Sequence, residues 1–437
     1  MINFLIAFII LIILLVIGVP VVYSFGAAVI FLSTTVGFTA TSAFPTMYDK
    51  LSSVVLLSIP MFIIAGGVME KGRIGDALIG FVEMFVGKVK GSLAIVTCIT
   101  SAIFGSISGS GAATLSCIGA MILPRMRTKK YNMAKAAAVI CCSAPLGLLI
   151  PPSATQILIA WLGNLSVLAC FMFTLIPGII LTILISVVSY FMFRNDPEII
   201  EAADEARKVK LTLHQDIIPR TKYAVPALLM PVIILGGIYG GIMTPTEAAA
   251  VAVFYAIPVA IWIYRGTNLR EMRTTFIHTA ASTGTLLVMI SIMMVISQIL
   301  TMQNMPNKIF TLMTSISENP KVLLLIINVF LVFVGMVMDD TSGVMLVTTL
   351  LLPMADKLGI SPYTMSAIIG VNLGMGNITS PTAPFLYMAS GIAKTNSVAM
   401  MKYCLIIILF AYVPTLLLTT YVTPISTFLP NIVLNIS

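Results

Sequence analysis

Two short polar runs lie deep inside apolar sequence, and both carry oxygen atoms suited to holding a cation. Residues 106–114 read Ser-Ile-Ser-Gly-Ser-Gly-Ala-Ala-Thr, and residues 339–343 read Asp-Asp-Thr-Ser-Gly. Small, hydroxylated or acidic residues at bilayer depth are costly unless they line a cavity and bind something. These runs therefore predict binding sites within a membrane, an arrangement typical of a secondary transporter.

A helix broken by proline is expected opposite each polar run. Pro151 and Pro152 have no backbone N–H. The carbonyl groups four residues earlier, on Gly147 and Leu148, therefore lose their helical hydrogen bonds. Such carbonyls and the Ser hydroxyls are hard oxygen ligands for a small dehydrated monovalent cation. Residues 376–384 repeat the pattern, so we expect two quasi-equivalent Na⁺ sites, with Na⁺ as the coupling ion and no other cofactor.

Three sets of residues are predicted to form these sites. The first Na⁺ site combines the first run and the first break, at Ser106, Ser108, Gly109, Ser110, Gly147, Ile150, Pro151 and Ser153. The second Na⁺ site is expected at Gly335, Asp339, Thr341, Ser342, Gly376, Thr379 and Thr382. Half-helices that begin near the runs point their positive ends inward and favour an anionic substrate group. Substrate contacts are predicted at Ser108, Ser110, Asp340, Ser342 and Ser380.

Two alternatives remain open for these residues. Runs of Ser, Gly and Thr also occur where helices simply pack closely, so either run can be a packing surface. For Asp339 we expect capping of the following half-helix together with cation coordination, because a proton relay needs a chain of titratable neighbours. For Asp340 the alternative is a position that faces only solvent.

The segments that hold the runs are too short for two membrane crossings. Residues 91–124 and 322–356 are each bounded by basic residues. A crossing takes about 20 helical residues, so two crossings and a turn need more than about 40. We therefore predict that each segment is a re-entrant hairpin of two half-helices.

Composition places most of the chain in lipid. Of 437 residues, 59% are hydrophobic and 9% are charged, whereas soluble domains have about 25% charged residues. The net charge of +8 fits cytoplasmic loops rather than nucleic-acid binding. The six cysteines lie in apolar segments and predict neither disulfides nor a metal site. A short interfacial helix is expected at 74–87. Membrane spans are expected near 2–18, 20–38, 51–69, 132–158, 163–193, 223–240, 247–264, 276–302, 361–390 and 403–428.

The two halves of the chain are related. A single constant shift pairs Gly147 with Gly376 and Ser110 with Asp339. Four cations lie within residues 125–130, whereas the equivalent residues 354–359 carry one cation and one anion. By the positive-inside rule these equivalent segments face opposite sides of the membrane. The fold class predicted is an all-α polytopic membrane protein with two inverted repeats, each with a re-entrant hairpin and a broken helix.

The domain boundaries follow from these repeats. We expect scaffold helices at 1–70 and 223–275, and a charged cytoplasmic connector at 194–222. The first repeat (71–193) contains the hairpin 91–124 and the broken helix 132–158. The second repeat (276–437) contains the hairpin 322–356 and the broken helix 361–390.

Other kinds of function have weaker support. Glu247 belongs to a Thr244-Pro245-Thr246-Glu247 capping box. The sequence contains no Ser-His-Asp arrangement or phosphate-binding loop, so we expect a transporter and not an enzyme. A channel would need a continuous polar path, which the apolar helix between the two runs does not offer.

Several motifs resemble the large membrane subunit of tripartite ATP-independent periplasmic (TRAP) transporters. They are Gly66-Gly-Val-Met-Glu-Lys-Gly, the Ser-Ile-Ser-Gly-Ser run, Gly147-x-x-Ile-Pro-Pro-Ser, Gly335-Met-Val-Met-Asp, and Gly240-Gly-Ile-Met-Thr-Pro-Thr-Glu-Ala-Ala-Ala-Val-Ala. The resemblance covers essentially the whole chain. One departure is the Gly376-Asn-Ile-Thr-Ser-Pro run, where many members have Thr-Pro-Pro.

The resemblance implies a function and partners for this chain. It implies an elevator-type fold of the ion-transporter superfamily and Na⁺-driven import of an organic acid across a bacterial inner membrane. It also implies a small four-helix membrane subunit and a periplasmic substrate-binding protein. Similarity favours sialic acid as substrate; the alternatives are a C4-dicarboxylate member and a self-sufficient Na⁺/dicarboxylate symporter.

Overall fold

The computed structural model describes residues 2–38, 40–208, 216–379 and 383–434. These residues form helices, turns and loops, and no β-strand occurs among them. Eight helical segments of the described chain are long and apolar enough to cross a membrane. Large apolar side chains lie on the outer surface, as Phe254 and Trp262 do at 78% and 73% exposure. The prediction of an all-α polytopic membrane protein is confirmed.

The helices fall into four consecutive groups. The N-terminal group is α1 (Ile2–Ile17), α2 (Val21–Val36), α3 (Ala40–Leu51), α4 (Ser58–Lys71) and α5 (Ile74–Val86). The first repeat is α6 (Ser92–Ser108), α7 (Gly111–Thr128), α8 (Met133–Ser143), α9 (Leu146–Leu149), α10 (Ala154–Gly163) and α11 (Val167–Phe193). The middle group is α12 (Pro197–Lys208), α13 (Ile218–Tyr239), α14 (Pro245–Pro258), α15 (Leu269–Met302) and α16 (Met305–Thr314). The second repeat is α17 (Pro320–Val337), α18 (Asp340–Leu351), α19 (Pro362–Gly376), α20 (Pro384–Ala393), α21 (Ser397–Ile407), α22 (Val413–Tyr421) and α23 (Thr423–Leu434).

Both polar runs form the turn of a helical hairpin. In the first hairpin, α6 ends at Ser108, Gly109 takes a left-handed conformation (φ 61°), and Ser110 caps α7. In the second hairpin, α17 ends at Val337 and Asp339 caps α18. We call residues 108–110 tip 1 and residues 338–340 tip 2. The base of a hairpin is the end opposite its tip.

The first hairpin extends slightly beyond its predicted end, whereas the helices of the second hairpin end slightly before theirs. The arms α6 and α7 have 17 and 18 residues, which is about 26 Å at 1.5 Å per residue. The basic residues that were expected to end the first hairpin at 124 lie inside α7, which continues through Pro124 to Thr128. The α17 arm, with 18 residues, is itself long and apolar enough to span. A turn of two residues joins the arms in each hairpin, and the basic residues after Pro124 extend the first hairpin by about one helical turn.

Each broken helix follows its hairpin and is interrupted at the level of the tip. The first runs from α8 through the short α9 to α10, and residues 144–153 form break 1. The second runs from α19 to α20, and residues 377–383 form break 2, of which 380–382 lie outside the described residues. The second segments reach 163 and 393, further than the predicted ends at 158 and 390.

The two repeats are inverted relative to each other, as the ends of the broken helices demonstrate. The first broken helix starts at the base of its own hairpin, where the Tyr131 hydroxyl accepts the Leu93 N–H at 3.4 Å. It ends at Gly163, which packs on Leu352 at the base of the second hairpin. The end of α20 returns to the base of the first hairpin, where Arg127 donates to a backbone carbonyl at 2.9 Å. The two bases therefore lie at opposite ends of the helix bundle.

The remaining helices pack around this pair of repeats. α4 packs mainly on α14, and α15 packs on α2, α3, α4 and the α18 arm. Thr349 of α18 donates to Ser297 of α15 at 3.1 Å. The predicted capping box is confirmed, because the Thr244 N–H donates to Glu247 at 2.8 Å and the Glu247 N–H donates to Thr244 at 3.3 Å.

The predicted connector begins as a helix that docks on the first repeat. α12 covers the first part of 194–222, whereas residues 209–215 lie outside the described residues. Ile199 is buried, and Asp196 forms an ion pair of 2.8 Å with Lys135 of α8. The segment 74–87, predicted as a short helix, is α5, and its apolar face packs on α6 and α13.

Candidate functional site

Tip 1 lies directly against break 1. The carbonyl of Gly109 accepts a hydrogen bond of 3.2 Å from the N–H of Ala154. Two glycines allow the backbones to touch, since a Cβ at Gly105 would lie 2.6 Å from the Cα of Gly147. A Cβ at Gly147 would lie 2.8 Å from the carbonyl oxygen of Ser110. The sequence-based expectation that this tip faces this break agrees with the geometry.

Hydroxyl and carbonyl oxygens converge where tip 1 meets break 1. The Oγ atoms of Ser108 and Thr114 are 3.3 Å apart, and Thr114 donates to the carbonyl of Ser110 at 2.8 Å. On the break side, the Ser153 hydroxyl donates to the Leu148 carbonyl at 2.6 Å and caps α10 by accepting the Gln156 N–H at 3.4 Å. Each of these hydroxyls keeps lone pairs for a cation.

The other residues predicted for the first site have less direct positions. Ser106 is buried, but its hydroxyl donates to the Ile103 carbonyl at 2.6 Å inside α6. Ile150 is extended at the centre of break 1, and Pro151 is buried beside it. Leu148 does not have the free carbonyl that the sequence predicts, because the Ser153 hydroxyl replaces the lost helical donor.

Tip 2 carries two carboxylates with different partners. The Asp339 carboxylate accepts the N–H of Thr341 at 3.1 Å and the hydroxyl of Ser342, so it caps α18. The Asp340 carboxylate accepts the side-chain amide N–H of Asn377 in break 2. The alternative in which Asp340 faces only solvent is therefore wrong.

The second hairpin touches its broken helix as the first one does. A Cβ at Gly376 would lie 2.5 Å from the Cα of Gly335 on α17. Thr379 donates from its hydroxyl to the Met375 carbonyl at 2.7 Å, which turns it toward its own helix. Two predicted site residues, Ser380 and Thr382, lie outside the described residues.

Two site residues escaped the sequence analysis. Asn377 holds Asp340, and its buried side-chain carbonyl oxygen has no hydrogen-bond partner among the described residues. A buried acceptor with no donor is costly, and a cation is one way to satisfy it. Thr114 is fully buried and bonded to tip 1. Its place at the end of the first polar run was the only signal for it in the sequence.

The donor set of both sites suits a hard monovalent cation. It consists of hydroxyl, carbonyl and amide oxygens, with carboxylates only at tip 2. Within the described ranges, no group of three or more His, Cys, Asp or Glu residues comes together. The arrangement therefore matches oxygen coordination without a thiolate or imidazole set.

A polar cavity of about 560 Å³ opens beside tip 1. Its walls are α4, the first turn of α7 and the first half of α15, and they include Gly67, Lys71, Ala113, Thr275 and His278. The volume is within the range of about 300–1,000 Å³ of small-molecule sites. The sequence analysis did not identify this cavity, because its polar residues come from helices far apart in the chain.

The lining of the cavity extends from the level of tip 1 toward the base of the first hairpin. Lys71 ends α4, and the next helix, α5, meets the base of α7 through a 2.8 Å ion pair between Asp76 and Arg125. The opposite end of the cavity is Ala113, in the first turn of α7 after tip 1. The cavity thus joins tip 1 to the end of the bundle that carries most of the cations.

Several known proteins are similar to this chain in sequence. A family described as "Tripartite ATP-independent periplasmic transporter, DctM component" matches residues 8–425. The C4-dicarboxylate TRAP transporter large permease protein DctM of Pseudomonas aeruginosa is 31% identical over 88% of this chain and 88% of its own length. The isethionate TRAP transporter permease protein DctMQ of Oleidesulfovibrio alaskensis is 31% identical over 95% of this chain and 64% of its own length. The 2,3-diketo-L-gulonate TRAP transporter large permease protein YiaN of Escherichia coli is 30% identical over 80% of each chain.

Two solved structures share the fold at low sequence identity. The YdaH transporter of Alcanivorax borkumensis matches with a TM-score of 0.60 and 15% identity, over 87% of this chain and 86% of that one. MtrF of Neisseria gonorrhoeae, described among antimetabolite efflux pumps, matches with a TM-score of 0.59 and 14% identity, over 87% and 84%. At this level of identity the likeness concerns the fold alone.

Proposed function

This chain belongs to the family of the DctM component of TRAP transporters, and from that premise we propose that it is a Na⁺-coupled importer of a small organic acid anion. The Na⁺ assignment rests chiefly on Asn377, whose buried amide oxygen lies near the Asp340 carboxylate and has no hydrogen-bond partner in the part of the chain that the structure describes. The oxygens that meet between tip 1 and break 1 support an equivalent first site. One Na⁺ at each tip would hold the tip and its break together.

The substrate class is inferred from charge and from relatives. The second arms α7 and α18 both begin at a tip, so their positive dipole ends favour an anion between them. The three relatives described above are named for a C4-dicarboxylate, isethionate and diketogulonate. We propose an organic acid of this size, with a C4-dicarboxylate as the specific alternative. Sialic acid stays a prediction from the resemblance.

We further propose an elevator mechanism in which the hairpins and broken helices move against α4, α14 and α15. Under the positive-inside rule the base of the first hairpin, with Arg125, Arg127, Lys129 and Lys130, faces the cytoplasm. The polar cavity then opens inward, which corresponds to the state that releases substrate. A periplasmic binding protein and a small membrane subunit of a bacterial inner-membrane complex are the proposed partners; the DctMQ name of one relative supports the latter.

Uptake into proteoliposomes tests the coupling. Radiolabelled succinate, isethionate and N-acetylneuraminate are offered with external Na⁺ and the substrate-binding protein that matches each acid. We expect uptake of one acid to require both Na⁺ and the binding protein. Two or more Na⁺ with a monoanion carry net positive charge inward, so an inside-negative potential should speed uptake, at about 2.3 kcal/mol per charge per 100 mV.

Three results would contradict parts of this proposal. Equal uptake driven by a proton gradient without Na⁺ would remove the Na⁺ assignment. Uptake without any binding protein would favour a self-sufficient symporter. Single-channel currents would indicate a channel.

Gly66→Val should lower the initial rate of uptake by at least about 10-fold, because it would obstruct the contact between the proposed scaffold and tip 1. A Cβ at Gly66 of α4 would lie 2.9 Å from the Cβ and 3.0 Å from the Cα of Ser108. The matched control is Gly80→Val on α5, where an added Cβ meets no atom within 4 Å. Uptake by Gly66→Val at the wild-type rate would show that transport does not require close contact between α4 and tip 1.

A further inference from the structure

Tip 2 is joined to α20 by a short chain of hydrogen bonds. The Asp340 carboxylate accepts the side-chain amide N–H of Asn377. The backbone carbonyl of Asn377 accepts the N–H of Phe385, in the first turn of α20, at 3.3 Å. Two hydrogen bonds thus connect Asp340 to Phe385 through Asn377.

The ring of Phe385 fills the space beside tip 1. A Cβ at Gly111, the first residue of α7, would lie 2.6 Å from the ring and 3.2 Å from the carbonyl oxygen of Ala144 in break 1. Phe385 is only 4% exposed, so packing fixes the ring. The far end of α20 is held as well, since Arg127 donates to the Ala393 carbonyl at 2.9 Å. α20 thus packs along α7, and its first turn contacts the start of α7 beside tip 1.

A second contact joins the repeats in the other direction. Gln156 follows the Ser153 cap of α10, and its side-chain amide donates to the carbonyl of Ser366 on α19 at 3.4 Å. A Cβ at Gly370 would lie 2.8 Å from the same amide nitrogen, so the Gln156 amide packs closely on α19. The first turn of α10, directly after break 1, therefore touches the helix that leads into break 2.

We propose that Phe385 couples the two cation sites, so that Na⁺ bound at one tip raises the affinity of the other. This inference rests on the proposed Na⁺ function. Na⁺ bound between Asp340 and the Asn377 amide oxygen would fix Asn377 and hence the Phe385 ring, which holds Gly111 in the position that the first site needs. Coupling between binding sites is reciprocal, so Na⁺ at tip 1 must favour the second site equally.

Equilibrium binding of ²²Na⁺ to the purified chain in lipid nanodiscs tests this coupling without any substrate. For the wild-type protein we expect sigmoidal binding with a Hill coefficient of about 1.5–2, as for two coupled sites. For Phe385→Ala we expect a Hill coefficient near 1 and a half-saturating Na⁺ concentration raised about 5- to 20-fold. Phe385→Leu, which keeps part of the side-chain volume, should fall between the two.

Making Phe385→Ala in a protein that already carries Asp340→Asn distinguishes coupling between the sites from simple loss of packing. Asp340→Asn weakens the second site, so Phe385→Ala should then have little further effect on Na⁺ bound at the first site. An equal loss of affinity in both backgrounds would assign Phe385 a structural role and overturn the proposal. The matched control is Phe193→Ala, a fully buried Phe of the same apolar core at the end of α11, which should keep the sigmoidal curve.

The remaining outcomes are also decisive. A Phe385→Ala protein with wild-type affinity and Hill coefficient would refute the coupling and leave the Na⁺ sites standing. A wild-type protein that binds no ²²Na⁺ would overturn both this inference and the proposed function.

Discussion

Gly147→Ala is expected to abolish Na⁺-dependent uptake while leaving the protein inserted in the membrane. The added methyl group would lie 2.8 Å from both the carbonyl oxygen of Ser110 and the hydroxyl of Thr114, inside the proposed first site. These atoms belong to tip 1 and to the α7 turn bonded to it, so tip and break must separate. A loss of about 3 kcal/mol of Na⁺ binding at the first site lowers its affinity about 100-fold, and we expect a loss of that size or more in the initial uptake rate.

The control for this prediction is Gly236→Ala on α13. Gly236 is also a helical glycine, but an added Cβ there meets no atom within 4 Å. Gly236→Ala should transport at the wild-type rate and gain slightly in stability from the better helix former. Gly376→Ala tests the second site in the same way, because its Cβ would lie 2.5 Å from the backbone of Gly335. Near-normal uptake by both Gly147→Ala and Gly376→Ala would show that the tips need not touch the breaks.

The constant shift between the halves of the sequence predicted which residues would be equivalent, because the relevant features are local. It pairs Ser110 with Asp339, and each proves to be the N-cap of a second arm, accepting the N–H of Ala113 at 3.4 Å and of Thr341 at 3.1 Å. Caps and proline breaks act within one turn of a helix, so residue type and spacing suffice to find them.

The parts that escaped prediction depend on which helices meet in space. Break 2 was expected opposite tip 2, but nothing in the sequence singled out Asn377 within it as the partner of Asp340. Phe385 reaches tip 1 because α20 returns along α7, a crossing that no periodicity in the sequence specifies. The short helices α3 and α16 were also missed, since a search for apolar runs finds spans and overlooks short amphipathic segments.

Inversion of the repeats has a physical consequence for the two proposed sites. Each broken helix ends at the base of the other hairpin, so the two repeats contact each other at both ends of the bundle. This arrangement favours rigid-body movement of the two repeats together over independent opening of either hairpin.

The two carboxylates of tip 2 are expected to respond differently to neutralisation. Asp340→Asn should raise the half-saturating Na⁺ concentration for uptake at least about 10-fold, since it removes the charge that faces Asn377 and the proposed cation. Asp339→Asn should change it much less, because Asn is as good an N-cap as Asp and can still accept the Thr341 N–H. Initial uptake rates measured against external Na⁺ for both variants provide the comparison.

Asp339→Ala completes this test by removing the cap itself. Loss of an N-cap costs about 0.5–2 kcal/mol, so this variant should lower the midpoint of thermal unfolding while Asp340→Asn leaves it nearly unchanged. The opposite ranking, with Asp339→Asn losing Na⁺ affinity and Asp340→Asn retaining it, would move the cation from the Asn377 side of tip 2 to the capping carboxylate. Equal Na⁺ dependence in Asp340→Asn, Asp339→Asn and the wild type would remove the charged side chains of tip 2 from the second site, because a carboxylate that coordinates Na⁺ cannot lose its charge without loss of affinity.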